Sequence, residues 1–254
     1  MSAPVSIAGR RLDVAYAAPA RDGAPVLVFL HEGLGSLGLW KDVPDELARA
    51  TGCGTLVYSR YGNGFSDVLA AARGVSYMHD EAHILPELLD AFDIRDAVLI
   101  GQSDGASIAL IYAGENGDRL RGVVAEAPHV FVEDLSVRSI AAAKASYEST
   151  DLRERLARHH ADADRTFYGW NDIWLHPAFR EWNIEDAVAQ VRAPLLLIQG
   201  QDDEYGSPAQ LDAIRARATR APVDSLLLAG CGHAPHRDRR TIVLAAIAGF
   251  VRAL

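Results

Sequence analysis

Three short stretches of this chain carry side chains able to act together. Gly101-Gln-Ser-Asp-Gly105 shows one serine between two glycines. Gly200-Gln-Asp-Asp-Glu-Tyr-Gly206 offers three carboxylates, Asp202, Asp203 and Glu204. Gly230-Cys-Gly-His-Ala-Pro-His236 offers two imidazoles, His233 and His236. A serine hydroxyl is a poor nucleophile unless a base takes its proton, and that base needs an acid to orient it. Serine, carboxylate and histidine in this chain order would supply such a set.

G-x-S-x-G alone occurs by chance, so its context decides. The motif needs a strand before it and a helix after it, so that the serine sits on a sharp, strained turn. AVLI (97–100) precedes it and ASIALIYAG (106–114) follows. The carboxylates follow the apolar run PLLLIQ (194–199), and His233 follows DSLLLA (224–229). Side chains just past the carboxyl ends of strands in one sheet project over the same edge. Gly-x-Gly-His and the place just past a strand favour His233, while His236 reads as a surface or helix-start residue. An oxyanion would need backbone N–H donors. One is that of Asp104, the residue after the serine. A second is expected from the loop His31-Glu-Gly-Leu-Gly-Ser36, where glycines let the backbone approach closely.

The elements that must position these residues read clearly. VLVFL (26–30), GTLVY (54–58), AVLI, GVVAEA (122–127), PLLLIQ and DSLLLA are continuous apolar runs of strand length. Such runs describe strands buried on both faces. Helices are predicted over 42–50 behind Asp42, over 77–92 with Pro86 kinking or restarting it, and over 103–115, 207–218 and 239–253. Strand–helix alternation implies an α/β fold with a mostly parallel central sheet flanked by helices. LDVAYAA (12–18) reads as an antiparallel edge strand. Residues 130–190 break the rhythm with helical segments and no strong strand. They are expected to form a helical cap, or lid, inserted between two strands, leaving 1–129 and 191–254 as the core. Its aromatics, Phe167, Tyr168, Trp170, Trp174 and Trp182, either anchor the insertion or line a pocket.

Taken together, these motifs resemble the α/β-hydrolase fold superfamily. The resemblance rests on His-Glu-Gly-Leu-Gly-Ser (31–36), Ser-Arg-Tyr-Gly-Asn-Gly-Phe-Ser (59–66), Gly-Gln-Ser-Asp-Gly (101–105), Gly-Gln-Asp-Asp (200–203) and Gly-Cys-Gly-His (230–233), in that order along nearly the whole chain. It implies Ser103 as nucleophile, Asp203 as acid, His233 as base, and N–H groups of Gly33 and Asp104 as the oxyanion hole. It further implies a serine hydrolase acting on a small carboxylic ester. A thioesterase, a C–C bond hydrolase of a ring-cleavage product, or a hydrolase-like ligand receptor with slow turnover would use the same fold. The chain departs from the family twice. Glu32 stands where a glycine is usual. Asp104 puts a carboxylate beside a developing oxyanion, so it must be turned away or neutralised.

Other residues are weaker candidates. His129 follows GVVAEA and opens the insertion, so with Glu32, Trp170 and Trp174 it is expected to contact the substrate. Tyr61, with Arg60, lies beyond another strand end and either shapes the pocket, binds an acidic substrate, or belongs to a surface ion pair. His31 is expected to tie its own loop. It lacks the second histidine of H-E-x-x-H, so no zinc site is expected. His79 and His83 lack a third ligand, and His159-His160 reads as solvated. No metal or organic cofactor is implied. The 254 residues carry a formal charge of −9, which disfavours a nucleic-acid partner. Cys53 and Cys231 show no ligand spacing and read as free thiols. No run is long enough to span a membrane, and the N-terminus has no signal-like apolar region, so a cytoplasmic protein is expected. A homodimer is compatible with this sequence.

Overall fold

In the computed structural model, which describes residues 2–254, eight strands form one sheet. Met1, the first residue of the expected core range, lies outside the described residues. The strands are β1 (Ser2–Ile7), β2 (Arg10–Ala17), β3 (Val26–Leu30), β4 (Gly54–Tyr58), β5 (Ala97–Gln102), β6 (Leu120–Glu126), β7 (Leu195–Gly200) and β8 (Val223–Leu228). Their spatial order is β1-β2-β4-β3-β5-β6-β7-β8. β1 and β2 run antiparallel to their neighbours, and every pairing from β4 to β8 is parallel. The expected edge strand at 12–18 is therefore antiparallel but not the edge, because β1 pairs along its outer side. Ser-Ala-Pro-Val-Ser-Ile gave no apolar run to announce β1. Its Pro4, which lacks an N–H, is tolerated because an edge strand leaves half its donors unpaired.

The apolar runs are continuous because the sheet has two cores. Val26, Val28 and Leu30 of β3 join one cluster with Leu99, Ala125 and Leu197. Leu27 and Phe29 join the other with Val98, Ile100, Val124 and Ile198. Alternate side chains point to opposite faces, so both sets must be apolar. Helices α1 (Val43–Thr51) and α11 (Arg240–Ala253) cover the second face through Leu47, Val243 and Ile247. Helices α2 (Tyr77–His83), α3 (Leu85–Ala91), α4 (Asp104–Asn116) and α9 (Ala209–Arg217) cover the first. Pro86 starts a new helix, as expected: the chain breaks at Ile84 and resumes as α3.

Between β6 and β7 the chain makes α5 (Asp134–Ser149), α6 (Leu152–Ala157), α7 (Ala163–Leu175) and α8 (Glu185–Val188). The aromatics of this segment mostly pack on one another. Phe167 stacks on Tyr147 at 3.8 Å, and Phe179 on Trp182 at 5.3 Å. A short helix α10 (Pro235–Asp238) follows β8. Both cysteines are buried free thiols. No helix among the described residues is long and apolar enough to cross a membrane.

Candidate active site

Ser103 is the single residue between β5 and α4. Its backbone sits at φ 53° and ψ −121°. A non-glycine residue held there stores roughly 1–3 kcal/mol of strain, so its surroundings must over-determine it. They do. Ser103 N–H donates to the Glu126 carbonyl of β6 at 2.9 Å. A Cβ on Gly105 would lie 2.0 Å from the Leu30 carbonyl oxygen, and one on Gly101 would lie 2.4 Å from that of Gly105. The two glycines let the turn close against β3 and against itself.

His233 and Asp203 arrive from the ends of β8 and β7. The Ser103 hydroxyl is 2.9 Å from His233 Nε2, and His233 Nδ1 is 2.8 Å from Asp203 Oδ1. A carboxylate has no hydrogen to give, so Nδ1 carries the proton and Nε2 accepts from the serine. Of the three carboxylates in that loop only Asp203 is buried; Asp202 and Glu204 are exposed. The backbone N–H groups of Tyr205 and Gly206 also donate to Oδ1, and Gln199 Nε2 to Oδ2. Burial opposes ionisation of Asp203, but the His233 bond and charge, with the Tyr205 N–H, outweigh it and hold its pKa low. Burial likewise opposes protonation of His233. The Asp203 bond and charge, helped by Glu204 and Glu32, overcome it and raise the imidazole above its ordinary value.

The loop after β3 is held by its carbonyls. Arg60 Nη2 donates to the oxygens of His31 and Glu32 at 3.3 and 2.9 Å. Asn63 Nδ2 reaches those of Gly33 and Gly35, at 3.0 and 3.1 Å. His160 Nε2 takes that of Leu34 at 2.9 Å. His31 ties the loop as expected: Nδ1 donates to the Glu32 carbonyl, and Nε2 accepts from Arg60 N–H. Burial and the Arg60 charge lower its pKa, which suits a neutral ring using both nitrogens.

Asp104 is neutralised in place. Tyr77 O–H donates to Oδ2 at 2.8 Å and Trp174 Nε1–H to Oδ1 at 3.3 Å, while Arg60 Nη2 stands 3.7 Å from Oδ2. Burial, with the Asp104 charge, pushes the Tyr77 phenol well above its ordinary value, so it remains a donor.

Ser103 and His233 open on a cavity of about 370 Å³. Glu32, Gly33, His129, Trp170 and Trp174 border it. Tyr61 does not. Its hydroxyl accepts from Ala70 N–H, and its ring lies under the Arg10 guanidinium at 4.0 Å. The segment 61–73 turns it away from the cavity. Arg60 is not a surface ion-pair partner but a buried tie. His160 is not solvated: it is buried and also accepts from Gly64 N–H. His236 starts α10 but is buried, paired with Glu126 at 3.0 Å. These roles had no local signal. The partners of His160 lie 96 and 126 residues away in sequence.

A sheet of this order, carrying a serine on a strained turn after β5, defines an α/β hydrolase architecture. The description of the Alpha/beta hydrolase family matches residues 27–246, and the chain belongs to that family. It is 27% identical over 195 residues to the 2-succinyl-6-hydroxy-2,4-cyclohexadiene-1-carboxylate synthase of Salmonella enteritidis PT4, covering 77% of this chain and 69% of that one. Among solved structures, it resembles a proline iminopeptidase of Mycobacterium smegmatis, with TM-score 0.79, 18% identity and coverage of 100% and 98%. It also resembles an enol-lactonase of Burkholderia xenovorans LB400, with TM-score 0.77, 18% identity and coverage of 98% and 99%. At that identity the likeness speaks for the fold.

Proposed function

We propose that this protein is a serine hydrolase that cleaves a small carboxylic ester through an acyl-enzyme. One observation carries the reading: the Ser103–His233–Asp203 row, at 2.9 and 2.8 Å, opens on a cavity of about 370 Å³. Ser103 Oγ attacks the ester carbonyl as its proton passes to His233 Nε2. Asp203 orients the ring and balances its charge. The N–H groups of Gly33 and Asp104 take the oxyanion. Asp104 is the first residue of α4, where N–H groups have no partner within the helix. Gly33 belongs to the loop whose carbonyls are held by Arg60, Asn63 and His160. His233 then protonates the departing alcohol, and water activated by the same ring releases the acid. Residues 130–190 act as the lid, with Trp170 and Trp174 as its inner wall, over the core of 1–129 and 191–254.

A cavity of about 370 Å³ is near the lower end for small-molecule sites, roughly 300–1,000 Å³, which favours a small substrate. The Salmonella relative is named for a carboxylate product. Here the cavity wall carries Glu32, Glu204 and Asp238 against Arg237, which disfavours an anionic substrate. The test is hydrolysis of nitrophenyl esters from acetate to octanoate by the intact protein and by Ser103→Ala. Turnover of the short esters is expected, falling about a thousandfold or more in the variant. Silence across the series, or activity that survives in Ser103→Ala, overturns the reading.

A further inference from the structure

His129 is a buried imidazole that the steps above leave unused. Its backbone is fixed from α4: Ser107 Oγ donates to the His129 carbonyl at 2.6 Å and accepts from its N–H at 3.2 Å. Its ring meets the edge of Trp174 with centroids 5.0 Å apart, and lies 5.6 Å from that of His233. Gly206 makes room for it, since a Cβ there would stand 3.3 Å from His129 Cε1. Nδ1 is sealed from solvent and has no hydrogen-bond partner. The ring borders the cavity.

Burial, reinforced by the His233 charge, lowers the His129 pKa to about 4. The ring is therefore neutral near pH 7 and carries one N–H. Orphaned buried N–H groups are rarer than unused acceptors, so the proton belongs on Nε2 rather than on the sealed Nδ1. Of the residues lining the cavity, His129, Ile140 and Trp174 are buried, whereas Arg237 and Glu32 are partly exposed. The alcohol leaves first and so belongs on the exposed side, which assigns the acyl part to the buried wall.

We propose that His129 is a specificity residue whose Nε2–H donates to an uncharged keto or ether oxygen on the acyl chain of the substrate. This rests on the serine ester reading and narrows it to oxygen-bearing acyl esters. A plain alkyl chain packed over that N–H would displace its water and offer no acceptor in return, which is how such sites reject analogues lacking one. Anionic substrates meet Glu32 and Glu204 on the cavity wall, whose charges both act on His233.

The test compares two isosteric pairs of nitrophenyl esters: 4-oxopentanoate with 4-methylpentanoate, and methoxyacetate with butanoate. The readout is the kcat/KM ratio within each pair for the intact enzyme, divided by that for His129→Phe, so that intrinsic ester reactivity cancels. His129→Leu repeats the measurement should the phenylalanine variant fail to fold. A ratio of threefold or more is expected in at least one pair, and about tenfold for a full hydrogen bond. Ratios below threefold in both pairs overturn the proposal. So does a 15N spectrum of the histidine-labelled enzyme that places the His129 proton on Nδ1. Titration of Trp fluorescence with 4-oxopentanamide and 4-methylpentanamide reads the same preference without turnover, and equal affinities in the intact protein also overturn it. Ester hydrolysis that persists in Ser103→Ala sinks the serine reading instead, so the two failures are distinct.

Discussion

Replacing Asp104 by asparagine removes one charge from a buried pair at nearly constant volume. The Arg60 and Asp104 side chains are 1% and 2% exposed, so water cannot take over the lost interaction. At 3.7 Å and an effective dielectric of 20 their attraction is about 4 kcal/mol. Arg60 Nε and Nη1 already lack partners, which leaves the guanidinium dependent on Nη2 and on this charge. Asparagine also offers one acceptor oxygen where Tyr77 O–H and Trp174 Nε1–H use two, so one donor would face an amide N–H₂. Breaking a buried pair from one side costs about 3–5 kcal/mol. The bonds from Arg60 to the carbonyls of His31 and Glu32 survive and hold the loss to the low end. We expect Asp104→Asn to lose about 3 kcal/mol in urea denaturation followed by Trp fluorescence, with a lower midpoint and an unchanged slope. A double-mutant cycle with Arg60→Met should return most of that loss as coupling. A loss under about 1 kcal/mol would mean that no charge pair holds this corner together, and the neutralisation argument would fall.

Two further outcomes follow from the geometry. The base must be neutral to take the serine proton, and His233 is raised above its ordinary pKa of about 6.5, so the acid limb of kcat/KM should lie above that pH. Asp203→Asn removes the main raising influence and leaves burial, so the limb should move to lower pH while the plateau falls by about 10³–10⁴; an unmoved limb contradicts the assignment. Gly105→Ala drives a Cβ to 2.0 Å from a backbone oxygen of β3, which cannot swing aside as a side chain would. It should cost about 3 kcal/mol by overpacking and lower turnover about a hundredfold by shifting Ser103 from His233, both readable by denaturation and ester hydrolysis. A variant with native stability would show that the close approach of α4 to β3 is not required.

Much of the scaffold was legible because its causes are local. VLVFL, GTLVY and the later runs became β3 to β8 within a few residues, since strands between two apolar layers cannot alternate with polar residues. Pro86 marked the break between α2 and α3 for an equally local reason, its missing N–H. Tyr61 misled: its place after β4 suggested the pocket, but only the path of 61–73 decides where it points. β1 stayed hidden because an edge strand with little apolar content carries no periodic signal.

The sequence by itself determined strands β3 to β8, the strained serine turn, and the strand ends that deliver Asp203 and His233, because each is a property of a few neighbouring residues. Tertiary structure alone decided how the site is tuned. Asp104 is quieted by Tyr77 and Trp174, 27 and 70 residues away, and the loop at 31–36 is braced by His160 from 126 residues away. Such contacts depend on how crossovers bring distant segments over one sheet edge, and neither spacing nor residue type encodes that separation.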